Sequence, residues 1–119
     1  MKVPSNLIEK TFSAIQIANL SGELKTGLFE CIRSLESGKC KYLVLSLDTS
    51  PRNKKLQKKF AMLEMLAKDK KVPVFKLSTK KILGNLINIP VGVSCIAVTK
   101  PDRAESIFKS LKEEVAGLV

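Results

Sequence analysis

Residues 23–48 read ELKTGLFECIRSLESGKCKYLVLSLD. The stretch opens with a short extended piece around Leu24. A helix follows, started by Gly27 and running over residues 28–37, with Leu28, Cys31, Ile32 and Leu35 on one face at core-facing spacing. Its other face carries Thr26, Phe29, Glu30 and Arg33. Ser37-Gly38 is a stop, with Gly38 as the C-terminal cap. Residues 42–47 (YLVLSL) are nearly continuous in apolar character, as in a central strand buried on both faces.

The pattern repeats on either side. Upstream, Asn6 and Glu9 have the spacing of a capping pair that opens a first helix. Ile8, Phe12, Ile15 and Leu20 mark its core stripe, and Ser21-Gly22 ends it. Downstream, Asp48-Thr49-Ser50-Pro51 is turn chemistry. A long helix over residues 53–69 is expected next, with Leu56, Phe60, Leu63 and Ala67 as its stripe and Met62 and Leu66 beside it. Residues 72–77 form a strand with Pro73 at its start, where a missing donor is tolerated. Ser78-Thr79 caps a short helix that carries Lys80 and Lys81 and fades between Gly84 and Ile87. After a loop over residues 88–92, residues 93–98 form the last strand. Pro101 opens a final helix lined by Ile107, Leu111, Val115 and Leu118. Alternating helices and strands predict a three-layer α/β/α sandwich around a four-stranded mixed sheet. We see no repeat or linker, so residues 1–119 are expected to form a single domain.

Composition narrows the chemistry. Lys plus Arg number 21 against 11 acidic residues, a net charge of +10. Such an excess favours polyanionic partners, because lysine and arginine near phosphates release condensed counterions. There is no histidine, which removes the commonest general base and metal ligand. Cys31, Cys40 and Cys95 have no paired spacing, so no metal site is predicted. Cys31 and Cys95 read as small core residues. An odd cysteine count without a signal peptide points to a reducing compartment. The longest apolar run, residues 91–98, suits a buried strand and not a membrane span. Asp48 lies just past a strand end, where α/β folds place sites, but a lone carboxylate there is more often a turn cap. No nucleophile has a base, and no glycine-rich phosphate loop occurs. No catalytic residues, cofactor or small-molecule substrate are therefore expected.

Three groups of residues are candidates for contact with RNA. At the start of the second helix, Gly27 permits close backbone approach and free amides attract phosphate. Phe29 can stack on a base, Arg33 can pair with phosphate, and Lys25 and Thr26 lie on the approach. The competing reading packs Phe29 against the first or last helix and leaves Arg33 solvated. The third helix opens on a ridge of Lys54, Lys55, Lys58 and Lys59, a solvated face or a phosphate contact. In the loop, Ile89 and Val91 are unusually apolar for a connection. They suit a lid over the sheet end or a cushion for an unstacked base.

These residues resemble the kink-turn RNA-binding superfamily of ribosomal proteins. It includes the archaeal seven-A-e type, the eukaryotic thirty-e and twelve-e types, and core proteins of box C/D and H/ACA small nucleolar particles. The family signature Lys-Lys-Gly-Ala-Asn-Glu-x-x-Lys is similar to Lys25-Thr26-Gly27-Leu28-Phe29-Glu30, with Arg33 at the basic position. Ser37-Gly38 stands at its stop and Asp48 to Pro51 after its strand. Val72-Pro73, then Thr79-Lys80-Lys81-Ile82-Leu83-Gly84, then Ile89-Pro90-Val91 follow in family order. The resemblance implies structured RNA as partner and no catalysis. Gly27, Glu30, Arg33 and Lys80 would fall at the family's RNA-contacting positions, and Ile89 and Val91 in its base-covering loop. Phe29 departs from the pattern, since it stands where strict kink-turn readers carry a guanine-binding asparagine. The segment between Pro51 and Pro73 is longer than in the archaeal type. The resemblance thus leads to a divergent ribosomal protein on folded rRNA, among neighbouring ribonucleoprotein subunits in the cytoplasm. A nucleolar or ribonuclease P particle, with snoRNA as one such partner, is the first alternative. A protein-binding module of the same fold is the second.

Overall fold

The computed structural model describes residues 2–48 and 53–116. Thr49, Ser50 and Pro51 of the expected turn, the basic Arg52 and the stripe position Leu118 lie outside them. The elements are α1 (Ile8–Ser21), β1 (Glu23–Thr26), α2 (Leu28–Glu36), β2 (Tyr42–Leu45), α3 (Lys54–Asp69), β3 (Val74–Lys76), α4 (Lys80–Leu86), β4 (Cys95–Lys100) and α5 (Glu105–Ala116). Short 3-10 turns, Ser5–Leu7 and Asp102–Ala104, lead into α1 and α5.

The four strands form one mixed sheet in the order β1-β4-β2-β3. β2 and β3 are parallel and joined through α3, the kind of crossover that parallel neighbours need. β4 runs antiparallel to both β1 and β2.

Side chains alternate across a strand, so one strand can feed two cores. Tyr42 and Val44 of β2, with Ile96 and Val98 of β4, face α1, α4 and α5. Leu43 and Leu45, with Cys95 and Ala97, face α2 and α3. Every residue of β2 is buried, which explains why its sequence shows no polar alternation. On the first face Tyr42 stacks on Phe108 with ring centroids 4.7 Å apart. Its hydroxyl donates to Glu105 Oε1 at 3.2 Å. The helix α2 stops as expected. Gly38 takes φ +74° and donates to the Leu35 carbonyl, while Lys39 donates to that of Ser34. This is a Schellman motif, and it sends the chain into β2.

Several expectations are corrected. Asn6 does not cap α1: it lies within the 3-10 turn, and Leu7 occupies the cap position without a side-chain bond. Leu20 is 83% exposed; it lies roughly 200° around the helix from the buried Ala18, at 100° per residue. In α3 only Leu63 and Ala67 are buried. Phe60 and Leu66 pack partly, and Leu56 and Met62 are exposed. The first turns of α3 stand away from the core, with residues 53–59 exposed throughout. Phe108, fully buried on α5, belongs to a stripe that the sequence reading placed on Ile107.

Candidate nucleic-acid interface

β1 hands the chain to α2 through Gly27, whose N–H donates to the Cys95 carbonyl at 3.2 Å. Gly27 has φ +93° and ψ 153°, a region open essentially to glycine alone. A Cβ there would meet nothing within 4 Å. The glycine is therefore required by backbone conformation, and the space in front of it is open to a partner. No side chain caps α2. The first intrahelical bond runs from Cys31 N–H to the Gly27 carbonyl, so the amides of Leu28, Phe29 and Glu30 have no acceptor within the helix.

Phe29 is 63% exposed and belongs to neither core cluster, against the competing placement of its ring on the first or last helix, while Arg33 is largely solvated as that reading has it. One turn on, Arg33 Nη1 bonds Glu30 Oε1 at 3.2 Å. An exposed pair of this kind contributes only about 0–1 kcal/mol, so a stronger anion can draw the guanidinium away. Below this face Cys31 is buried against the sheet. Its hydrogen bond to Cys95, and then burial, push its thiol above the ordinary range. Burial likewise pushes Cys40 up to about 12. These thiols are core groups.

The other candidates approach the same end of the sheet. Ser46 N–H reaches the Ser94 carbonyl, and Leu47 N–H reaches that of Ser78. The end of β2 thus touches the loop before β4 and the entry to α4. Thr79 caps α4 by accepting from Ile82 N–H. Asp48 Oδ1 accepts from Lys80 N–H at 2.9 Å, which gives the lone carboxylate its structural role. Lys80 is exposed. The loop over 88–92 is strapped to α4. Ile89 N–H donates to the Gly84 carbonyl at 2.9 Å and Val93 N–H to that of Lys80 at 3.0 Å. A Cβ on Gly84 would lie 2.4 Å from the Val91 carbonyl oxygen, so this glycine lets the loop rest on the helix. Val91 points outward at 67% exposure. Ile89 packs partly on the core and mainly supports the loop.

α3 begins where β2 ends and returns to β3, so its start also belongs to this end. Asn53 caps it by accepting from Lys55 N–H at 2.8 Å. Lys54, Lys55, Lys58 and Lys59 are all exposed. The structure therefore gathers Lys25, Thr26, Gly27, Phe29, Glu30, Arg33, Lys80 and Val91 at one end, with the lysine ridge of α3 beside them. Sequence reading missed that Leu47 and Ile82 are exposed here as well, at 48% and 40%. The only signal was the position of Leu47 at the end of an apolar run and of Ile82 directly after two lysines.

Electrostatically, this end does not suit the helices taken alone. A helix start is positive and favours acidic neighbours. Yet α3 has no acidic residue in its first turn and opens on lysines, while α4 opens on lysines with the Asp48 carboxylate on its first amide. An anion placed there would offset the lysines that open α3.

Comparison with known proteins agrees with this fold. The model of the Ribosomal protein L7Ae/L30e/S12e/Gadd45 family matches residues 9–108. Among solved structures, the Giardia lamblia 15.5kD RNA binding protein superposes with a TM-score of 0.81 at 19% identity, over 98% of this chain and 92% of that one. At that identity the likeness shows a shared fold.

Proposed function

The chain belongs to the Ribosomal protein L7Ae/L30e/S12e/Gadd45 family, and from that premise we propose that it binds structured RNA without chemistry of its own. The observation that carries the reading is the convergence of three helix starts, two of them lysine-rich, on one end of the sheet. Lys25, Lys54, Lys55, Lys58, Lys59 and Lys80 would neutralise phosphates, with Arg33 joining them once released from Glu30. The open amides after Gly27 would bond phosphate or sugar oxygens. Phe29 and Val91 would meet unstacked bases, with Thr26 flanking them and Ile89 holding the loop.

Our leading proposal is a structural constituent of the ribosome, docked on folded rRNA in the cytoplasm. Phe29 supports it over a strict kink-turn reader, because a phenyl ring cannot bond the guanine edge that an asparagine would. Docking by charge, shape and stacking then suffices where neighbouring subunits define the site. The test is binding to a kink-turn RNA and to an unkinked duplex of equal length, each at low and moderate salt. Tight, salt-sensitive binding with little preference is expected. A strong kink-turn preference would favour the nucleolar-particle reading. No binding at low salt would refute RNA binding and redirect attention to a protein partner for Phe29, Leu47, Ile82 and Val91.

A further inference from the structure

A second basic feature lies outside the residues assigned so far, save one. At the β1 edge of the sheet, a groove of about 660 Å³ is lined by Glu23, Lys25, Ser34, Gly38, Lys39, Lys41, Thr99 and Lys100. Four lysines from β1, β4 and the turn after α2 thus surround one carboxylate. None of the four forms an ion pair among the described residues. The carboxylate is already engaged within the groove, since Thr99 Oγ1 donates to Glu23 Oε1 at 2.8 Å. That hydrogen bond, and next the charge of Lys25, hold the Glu23 carboxyl below its ordinary range, with Lys100 and Lys39 adding to the effect.

A structural role explains part of this arrangement. Lys39 and Lys41 follow the negative end of α2, where cations are favourable. Lys25 and Lys100 stand on strands and have no such reason to be here. The lining holds no aromatic and no large apolar side chain, so it offers nothing to read a base. It offers point charges and hydroxyls, the chemistry that positions a phosphodiester backbone. Lys25 links it to the α2 start. The nine residues of α2 separate the two ends by about 13 Å, at about 1.5 Å per residue.

We propose that this groove is a second contact for RNA backbone, in which Lys39, Lys41 and Lys100 hold a stem that leaves the α2 start along the β1 edge. The inference rests on the RNA-binding reading above. Its test compares wild type with the triple variant Lys39→Ala, Lys41→Ala, Lys100→Ala. The probes are a kink-turn RNA with long flanking stems and the same RNA with its stems trimmed, titrated across salt. All three lysines are exposed, and the melting temperature checks that the variant folds. For the long RNA, the plot of log affinity against log salt should become shallower by about 2–3, close to one for each lost phosphate contact. For the trimmed RNA the slope should not change. Glu23→Gln, which removes only the opposing charge, should tighten the long RNA at low salt. An unchanged slope for the long RNA, with wild type binding well, would overturn the second contact and leave the primary interface standing. Failure of wild type to bind either RNA would overturn both.

Discussion

Replacing Gly27 with alanine isolates backbone strain at the start of α2. With φ +93° and ψ 153°, and no atom within 4 Å of the added methyl, Gly27→Ala creates no clash. Its cost is conformational, about 1–3 kcal/mol for a non-glycine residue held in this region. The stiffer unfolded chain returns about 0.4–1 kcal/mol, leaving a net loss of about 1.3 kcal/mol at the middle of both ranges and about 2.6 kcal/mol at most. For 119 residues the unfolding entropy is about 0.25 kcal/mol/K, so the melting temperature should fall by about 5 °C, and by about 10 °C at most. Calorimetry measures this directly. A D-alanine at position 27, introduced by chemical ligation, favours positive φ, the mirror image of the L preference. It should be less destabilised than the L-alanine variant. The L-alanine variant should also lose RNA affinity, because relief of strain turns the open amides of Leu28 to Glu30. Equal melting temperatures for wild type and the L-alanine variant would refute the reasoning, as would equal destabilisation by both enantiomers.

Other consequences follow from single contacts. Gly84→Ala places a methyl 2.4 Å from the Val91 carbonyl oxygen. Overpacking costs about 1–3 kcal/mol, offset in part by about 0.5–1 kcal/mol of better helix propensity. The loop should lift, and amide exchange at Ile89 and Val93 should accelerate while the sheet stays protected. Burial first, and then the nearby Glu105 carboxylate, push the Tyr42 hydroxyl up to about 12. The folded state therefore favours the neutral phenol. The stability this provides is fully present below the unfolded tyrosine value near 10 and is lost as pH rises through about 12. Denaturant titrations from pH 9 to 12 should show that decline in wild type and a weaker one in Tyr42→Phe.

Residues 23–48 made the architecture legible because their apolar residues follow two distinct periods. Cys31, Ile32 and Leu35 mark a helix face, and the unbroken YLVL of β2 marks a strand with cores on both sides. The stripe of α3 misled for a physical reason. Leu56 has helical spacing with Phe60 and Leu63, but the first turns of that helix extend past the elements that could cover it, while Met62 lies about 100° around the helix from the buried Leu63. Asn6 misled because capping depends on where a helix begins, and the preceding 3-10 turn shifted that point. Of the interface, the α2 face and the lysine ridge were visible as local patterns. The link from Asp48 to Lys80 was not, nor was the lysine groove. Their members are far apart in sequence and meet only because β4 pairs with β1 and β2 and the end of β2 reaches the entry to α4.

That placement of β4 also bears on how the protein is made. The strand formed last in synthesis lies in the interior of the sheet, between β1 and β2. Before residues 95–100 emerge, β1 has no neighbour, and neither core can close. One core lacks Ile96 and Val98, the other Cys95 and Ala97. A ribosome adding about 5–20 residues per second therefore holds a strongly basic chain with an incomplete sheet until residues 95–100 appear. Sheet completion is a late event, and the pairing of β1 with β4 spans most of the chain, which slows it further.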